Sequence, residues 1–323
     1  MPELPDVEVY LEKLGPRVVG AAVDSVTVRS AFVVRSFEPP LKAIVGRKVT
    51  GLRRVGKRIV FELHDQADEL FLVIHLMIAG RLRWRDPGVT RPAIAPKLEL
   101  ARFGFARGTL FLTEASTRKR ASIHLVRGAA ALAALDPGGL EPMGATLAAF
   151  QAALTRENHT IKRALTDPHL LSGIGNAYSD EILHRARMSP VKLTRRMVEA
   201  DFARLLAATH AVLGEWTARL SAEVGDGFPE KVTAFRDEMA VHGRFGKPCP
   251  DCGAPVQRIV HAANESNYCA RCQTGGKLLA DRALSRLLRE DWPRTLEELE
   301  EGKLARRGLR DTEPGADGGA GEK

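Results

Sequence analysis

Two groups of residues in this chain have types and spacings that can do chemistry. The first is the N-terminus, Met1-Pro2-Glu3-Leu4-Pro5-Asp6. A small proline after the initiator methionine favours removal of Met1, which leaves Pro2 as a secondary amine. An α-amino group titrates near ~8, against ~10 for lysine. At neutral pH part of it is therefore unprotonated and able to attack an electrophilic carbon. Glu3, directly beside it, is placed to shuttle protons. Alone, this pattern also describes an ordinary frayed terminus. The second group is Cys249-x2-Cys252-x16-Cys269-x2-Cys272, which holds all 4 cysteines of the chain. Two such knuckles set four thiolates around a tetrahedral ion, the arrangement of structural zinc, and four sulfurs leave no coordination position open for catalysis. The segment between the knuckles should be a β-hairpin.

Other candidates carry less by themselves. Lys57 follows Gly56 within 53-RRVGKRIVF-61, where a hairpin would expose it, and an exposed lysine at a turn is usually only solvated. Lys162 and Asn176 flank 168-PHLLSGIGNA-177, a double turn whose glycines let the backbone come close to a ligand. Helix N-termini there would favour an anion such as phosphate. A plain helical hairpin fits the same pattern.

The elements that must position these groups follow from periodicity. Val7, Leu11, Leu14 and Val18 fall on one helical face, with Gly20 where that helix should stop. Short alternating or β-branched runs then extend to about residue 127: 22–28, 58–64, 70–76, 97–103 and 109–113. They predict an antiparallel sandwich or barrel behind one N-terminal helix. Residues 128–145, rich in Ala, Gly and Pro, read as a linker. Helical periods follow over 146–158, 160–167, 178–187 and 195–220, and a last amphipathic helix is expected over 277–292. The small polar tail from about residue 300 is expected to be disordered.

The expected fold is α+β and multidomain. A β-sandwich with its N-terminal helix occupies 1–130, a linker 131–145, a helical domain 146–240, a four-cysteine finger 241–275, and a terminal helix with tail 276–323. With 323 residues and 44% hydrophobic content, the chain has ample length for a buried core. Its net charge of +8 and pI near 9.5 point to a polyanionic partner. No run approaches eighteen apolar residues, and the N-terminus lacks a signal-peptide pattern. A cytoplasmic location is expected, nucleoid-associated in a bacterium.

Three blocks, PELPDVE at residues 2–8, 161-IKRALTDPHLLSGIGNAYSDEILHRARMSP-190 and the finger 242-HGRFGKPCPDC…YCARCQ-273, resemble the formamidopyrimidine-DNA glycosylase and endonuclease VIII family. The blocks occur in the family's order, and the resemblance covers roughly residues 1 to 275. It implies a bifunctional glycosylase and abasic-site lyase that removes oxidised bases from damaged double-stranded DNA as a monomer. The implied architecture is an N-terminal β-sandwich, a helix–two-turn–helix domain and a zinc finger around a DNA cleft. By this resemblance Pro2 is the nucleophile that forms a Schiff base at C1′, Glu3 the acid/base, and Lys57 an assisting lysine on a β-hairpin. Lys162 and Asn176 are the phosphate-gripping pair, and Cys249, Cys252, Cys269 and Cys272 hold one structural zinc.

The chain also departs from the family pattern. Asn264, followed by Glu265, stands where the zinc hairpin usually carries an arginine that reaches the lesion phosphate and is linked to δ-elimination. In 75-HLMIAG-80, Met77 or Ile78 is the candidate wedge for the void left by a flipped base. The later loop, 116-STRKRAS-122, offers Arg118, Lys119 and Arg120 but no aromatic residue. The segment 226–244 is unlike the family's purine-capping segment, so lesion preference does not transfer. Two other readings stand beside this one: a catalytically idle damaged-DNA-binding relative, and a zinc-ribbon protein that binds RNA or another protein. The second leaves the N-terminal motif and the double turn unexplained.

Overall fold

The computed structural model describes residues 1–65, 68–88, 94–230, 232–261, 264–279 and 293–301. Helix α1 (Leu4–Val18) opens the fold, and the backbone N–H of Glu3 donates to Asp6 Oδ2 at 2.9 Å to close its first turn. Two four-stranded antiparallel sheets follow. One has the order β1 (Val23–Val28), β6 (Glu99–Phe105), β7 (Gly108–Glu114), β5 (Gly80–Arg85). The other has the order β2 (Gly51–Val55), β3 (Arg58–His64), β4 (Glu69–His75), β8 (Ser122–Arg127). This is the expected sandwich.

The period-two rule fixes which side chains fill it. Ile59, Phe61 and Leu63 of β3 face Leu82 and Trp84 of β5, Phe103 of β6, Leu110 and Leu112 of β7, with Tyr10 and Leu14 of α1 in the same core. The opposite face of the second sheet is covered as well. Val60, Phe71 and Val73 pack under Leu132 of α2 (Gly128–Ala133). Burial on both faces explains why β4 reads as a continuous apolar run rather than an alternating one.

The stretch expected as a linker is tied down over much of its length. It holds the end of α2 and a 3₁₀ turn at Pro142–Gly144. Leu140 exchanges backbone hydrogen bonds with the double turn, accepting from Ser172 N (2.9 Å) and donating to Leu170 O (3.0 Å). Then come α3 (Leu147–Thr155), α4 (Ile161–Thr166), α5 (Asn176–Arg185) and α6 (Glu199–Val224). Helix α5 is buried all round, from Ala177 through His184, including Ser179, Asp180, Glu181 and His184. Those polar residues break the amphipathic pattern: Asp180, Glu181 and His184 each have a partner in another part of the chain, and Ser179 bonds back to Gly175 O at the start of its own helix. Strands β9 (Gln257–His261) and β10 (Asn264–Tyr268) form the expected hairpin, and the short helix α7 (Ala270–Thr274) follows. Leu296 packs back into the finger core. Residues 280–292 of the expected terminal helix, and the tail beyond 301, lie outside the described residues. Among the described residues, no helix is long and apolar enough to cross a membrane.

Candidate active site

Glu3 is the anchor of the site. It is 2% exposed, and its carboxylate accepts backbone N–H groups from Gly175 (2.7 Å), Ala177 (2.9 Å) and Tyr178 (3.2 Å). These are the unpaired donors at the start of α5, where the helix dipole also favours an anion. Leu4 N donates to Gly173 O at 2.9 Å, so the first residues of α1 are bound to the double turn along their backbone as well. Pro2 is buried beside them. Burial pulls the chain's amino group, on Met1, below its ordinary value of 8.0; Glu3 opposes that shift and Arg81 reinforces it.

Lys57 reaches the same place from the sandwich. Val55 pairs with Arg58, so Gly56 and Lys57 form a two-residue hairpin loop between β2 and β3. Gly56 has φ +60°, as a turn with glycine first among its central residues requires. Arg54 braces this loop: it donates to Gly56 O (2.7 Å), Ser172 Oγ (3.3 Å), Glu8 (2.7 Å) and Glu141 (2.5 Å). Lys57 and Glu3 converge on Gly175. A Cβ there would lie 2.5 Å from Glu3 Cδ and 2.7 Å from Lys57 Nζ. Burial lowers the pKa of the Lys57 ammonium, with Glu3 opposing. At the end of β4, His75 pairs across the strand with Arg58. Burial, then the charges of Arg58, Lys57 and His124, hold the His75 imidazole neutral with a pKa of about 4.

The glycines of the double turn thus serve a purpose the sequence did not reveal. What approaches their backbone is the rest of the site: Glu3 and Lys57 at Gly175, and Leu4 and Arg54 at Gly173 (φ +78°).

Lys162, expected at a phosphate, has its ammonium turned inward in this structure. It is 9% exposed, and its ammonium donates to Asp180 Oδ1 (2.5 Å) and Asn176 O (2.7 Å). Asp180 Oδ2 lies 2.8 Å from His242 Nδ1. The positive charge is directed inward because Asp180, fully buried, requires a partner. Asn176 donates through Nδ2 to Glu265 O at 2.8 Å, tying α5 to the zinc hairpin. Glu181 of the same helix accepts N–H groups from Ala240, Val241 and His242 at 2.7–3.0 Å. Asp180, Glu181, Arg54 and His242 were not singled out in the sequence. Their burial was the signal, and periodicity does not report it for polar residues.

The remaining candidates sit on loops. Met77, with φ +52°, and Ile78, 54% exposed, occupy the turn between β4 and β5. Arg81 donates to Ile78 O (3.2 Å) and so links that turn to the N-terminal amine. In the loop before β8, Glu114 Oε2 accepts from Arg120 N and Ala121 N, and Lys119 Nζ donates to Glu114 O. Arg118 and Arg120 are exposed. Asn264 lies at the start of β10, with its backbone opposite His261; its side chain is outside the described residues. Glu265 is engaged with Arg258 at 3.5 Å.

The four cysteines converge. Their sulfurs lie within 4.8 Å of one another, with Cys252 and Cys269 at 3.4 Å and Cys249 and Cys272 at 3.9 Å. Four thiolates at about 2.3 Å from a tetrahedral zinc stand about 3.8 Å apart, so the residues fit the ion. His184 Nε2, from the C-terminal end of α5, lies 3.3 Å from Cys249 Sγ.

The chain matches three family models in order: the formamidopyrimidine-DNA glycosylase N-terminal domain over 1–123, the helix–two-turn–helix domain of that enzyme over 138–221, and the zinc finger found in it and in isoleucyl-tRNA synthetase over 246–275. It is 30% identical over 282 residues to the formamidopyrimidine-DNA glycosylase of Dechloromonas aromatica, with 84% of this chain and 100% of that protein covered. The chain belongs to the formamidopyrimidine-DNA glycosylase family. The crystal structure of the Lactococcus lactis enzyme with abasic-site DNA has the same fold, with TM-score 0.72 and 28% identity, covering 84% of this chain and 99% of that one. So has a structure of MutM with DNA containing carbocyclic 8-oxo-G, with TM-score 0.72 and 27% identity, covering 84% and 100%. A protein that is only a zinc ribbon is thereby excluded, since the matches include the N-terminal and double-turn blocks.

Proposed function

We propose that this protein is a DNA glycosylase and abasic-site lyase. It acts as a monomer on damaged duplex DNA, in the cytoplasm, associated with the nucleoid if the cell is bacterial. The observation that carries this reading is the seat of Glu3 on the start of α5, with Lys57 facing it across Gly175. It sets a proton donor/acceptor and a cation beside the amine that Met1 removal would leave on Pro2.

The chain's groups divide the work as follows. The target base leaves the stack at a cost of a few kcal/mol, which damage reduces. Glu3 handles the proton while the Pro2 amine attacks C1′ and the base departs; the nitrogen then loses its proton, and its lone pair opens the C1′–O4′ bond to give the Schiff base, O4′ taking up a proton as it leaves. The iminium acidifies the C2′ proton, and its loss lets the 3′ phosphate leave by β-elimination. Lys57, with its charge weakly solvated, stabilises the anionic groups around the reacting sugar. Cys249, Cys252, Cys269 and Cys272 would hold the zinc, which fixes the hairpin fold. Asn176 then joins that hairpin to α5, and Lys162 positions α5 from within through Asp180. Met77 and Ile78 fill the space of the flipped base, and the exposed Arg118 meets the backbone.

The end chemistry follows from Asn264. A neutral amide where relatives carry an arginine lacks a charge-assisted phosphate contact, and such contacts are about twice as strong as neutral ones. β-Elimination products should exceed β,δ-products. Asn264→Arg should shift the balance toward δ, with less interference from Glu265 because Arg258 already engages it. A sequencing gel on duplexes carrying one defined lesion each reads both strand cleavage and 3′ ends. Cleavage of none of them, including the abasic duplex, would contradict the proposed activity. A mainly 3′-phosphate end would contradict the role given to Asn264.

A further inference from the structure

Helix α5 is held by the finger at the end away from Glu3. His184, in its last turn, is 4% exposed. Its Nε2 lies 3.3 Å from Sγ of Cys249, which is itself buried. Just past the helix, Arg187 turns the chain with φ +53°, its N–H donating to His184 O at 3.0 Å. Its guanidinium lies 3.4 Å from Oδ2 of Asp251, which sits between Cys249 and Cys252. The second knuckle is tied to the same end. Gln273 accepts the N–H of Cys269 through Oε1 and donates through Nε2 to Met188 O, both at 2.8 Å.

The proton on His184 can be placed. A zinc-bound cysteine is a thiolate with no hydrogen to give, so the imidazole is the donor in this contact, through Nε2–H. Asp251 Oδ2 stands 3.9 Å from the same nitrogen, beyond hydrogen-bond reach, and faces Arg187. The metal centre also gains from a donor. Four thiolates outweigh the charge of one zinc ion, which leaves an anion against the buried Val241, Val256 and Ile259. A buried anion is costly unless it is hydrogen-bonded. Cys269 receives the N–H of Cys272 within its own knuckle, at 3.5 Å. Cys249 receives a donor from a helix outside the finger.

We infer that His184 is a hydrogen-bond donor to the zinc thiolate of Cys249, through which α5 holds the metal centre. The N–H draws charge off the sulfur, makes it less reactive toward protons and electrophiles, and so retains the ion. Partners of this kind are worth about 10–100-fold in metal affinity. A buried histidine that only fills space would occupy the same position, and substitution separates the two. The inference concerns the finger and α5 alone, and it does not depend on the proposed glycosylase activity.

Competition for zinc between the full-length protein and a chromophoric chelator tests this. His184→Phe, which keeps a ring and loses the donor, should hold zinc on the order of 10-fold more weakly than the parent. His184→Gln, whose side-chain amide carries an N–H at similar reach, should recover most of the difference. With cobalt in place of zinc, the thiolate-to-metal charge-transfer band should move to lower energy in His184→Phe and stay near the parent's position in His184→Gln. The ligand-field bands should remain those of four sulfurs throughout. Should the phenylalanine variant not fold, His184→Leu, smaller and equally without a donor, gives the same comparison. Parental zinc retention without the donor, equal loss in the glutamine variant, or an unmoved charge-transfer band would each overturn the inference. So would ligand-field bands of three sulfurs and a nitrogen in the parent, which would make His184 a ligand.

Discussion

The amide of Gly175 and the carboxylate of Glu3 lie 2.7 Å apart across 172 positions of sequence. Lys57 Nζ crowds the same glycine from the sandwich. One residue without a side chain therefore sets the spacing between the N-terminus, the β2–β3 hairpin and the start of α5.

Gly175→Ala should accordingly be severe. Its Cβ would meet Glu3 and Lys57 at 2.5–2.7 Å, and overpacking of this kind costs about 1–3 kcal/mol. Displacement of reacting groups by about 1 Å can cost on the order of 100-fold in rate. Denaturant unfolding and lyase assays on abasic DNA would measure both effects. An alanine variant with parental activity would show that the three elements are not held in register at this point.

Lys162→Ala should lower stability rather than weaken the electrostatic grip on DNA. Removing one partner of a buried pair costs about 3–5 kcal/mol, and the lower end is expected because His242 still faces Asp180. The slope of log binding against log salt should stay near that of the parent, since each phosphate contact contributes about 0.9 to it. Lys162→Met with Asp180→Asn should recover much of the loss. A shallower salt slope with unchanged stability would return Lys162 to the phosphate.

His75 makes a pH-dependent contribution. Its pKa is near 4 in the folded protein and near 6.5 when unfolded. Its neutral form favours folding above pH 6.5, and this contribution is lost as pH falls through 6.5 toward 4. Asp6, raised by burial to about 6, acts with opposite sign and loses stability as pH rises from 3.8 through 6. Unfolding curves of the parent and His75→Asn between pH 7 and 4.5 separate the two. The difference between them should change in the parent's disfavour as the solution is acidified, and a pH-independent difference would contradict the assignment.

Much of this was legible in the sequence because it depends on local rules. The α1 stripe of Val7, Leu14 and Val18, the runs that became β3, β4, β6 and β7, and the cysteine spacing each follow from one periodicity or one ligand geometry. Strands β5 and β8 were not among the runs read because arginines and a histidine interrupt them, 80-GRLRWR-85 and 122-SIHLVR-127, and β2, 51-GLRRV-55, was implied only by the hairpin at Lys57. Pro2 and Glu3 could be named because their chemistry is unusual for their positions, and Lys57 through the family resemblance. The inward turn of Lys162 could not, since nothing local announces that Asp180, eighteen residues away, is fully buried. Helix α5 as the hub of the site was hidden for the same reason. Its polar residues look solvated until the N-terminus, the finger and segment 240–242 close around them.

Covalent catalysis through the amine of Pro2 is the central claim, and reductive trapping tests it most directly. Borohydride added during reaction with abasic duplex DNA reduces the Schiff base to a stable amine, and mass mapping of the adduct names the nitrogen. The account predicts an adduct on the N-terminal peptide, at Pro2 with Met1 removed, and weakened trapping in Pro2→Gly. An adduct found only on an internal lysine, Lys57 above all, would contradict it.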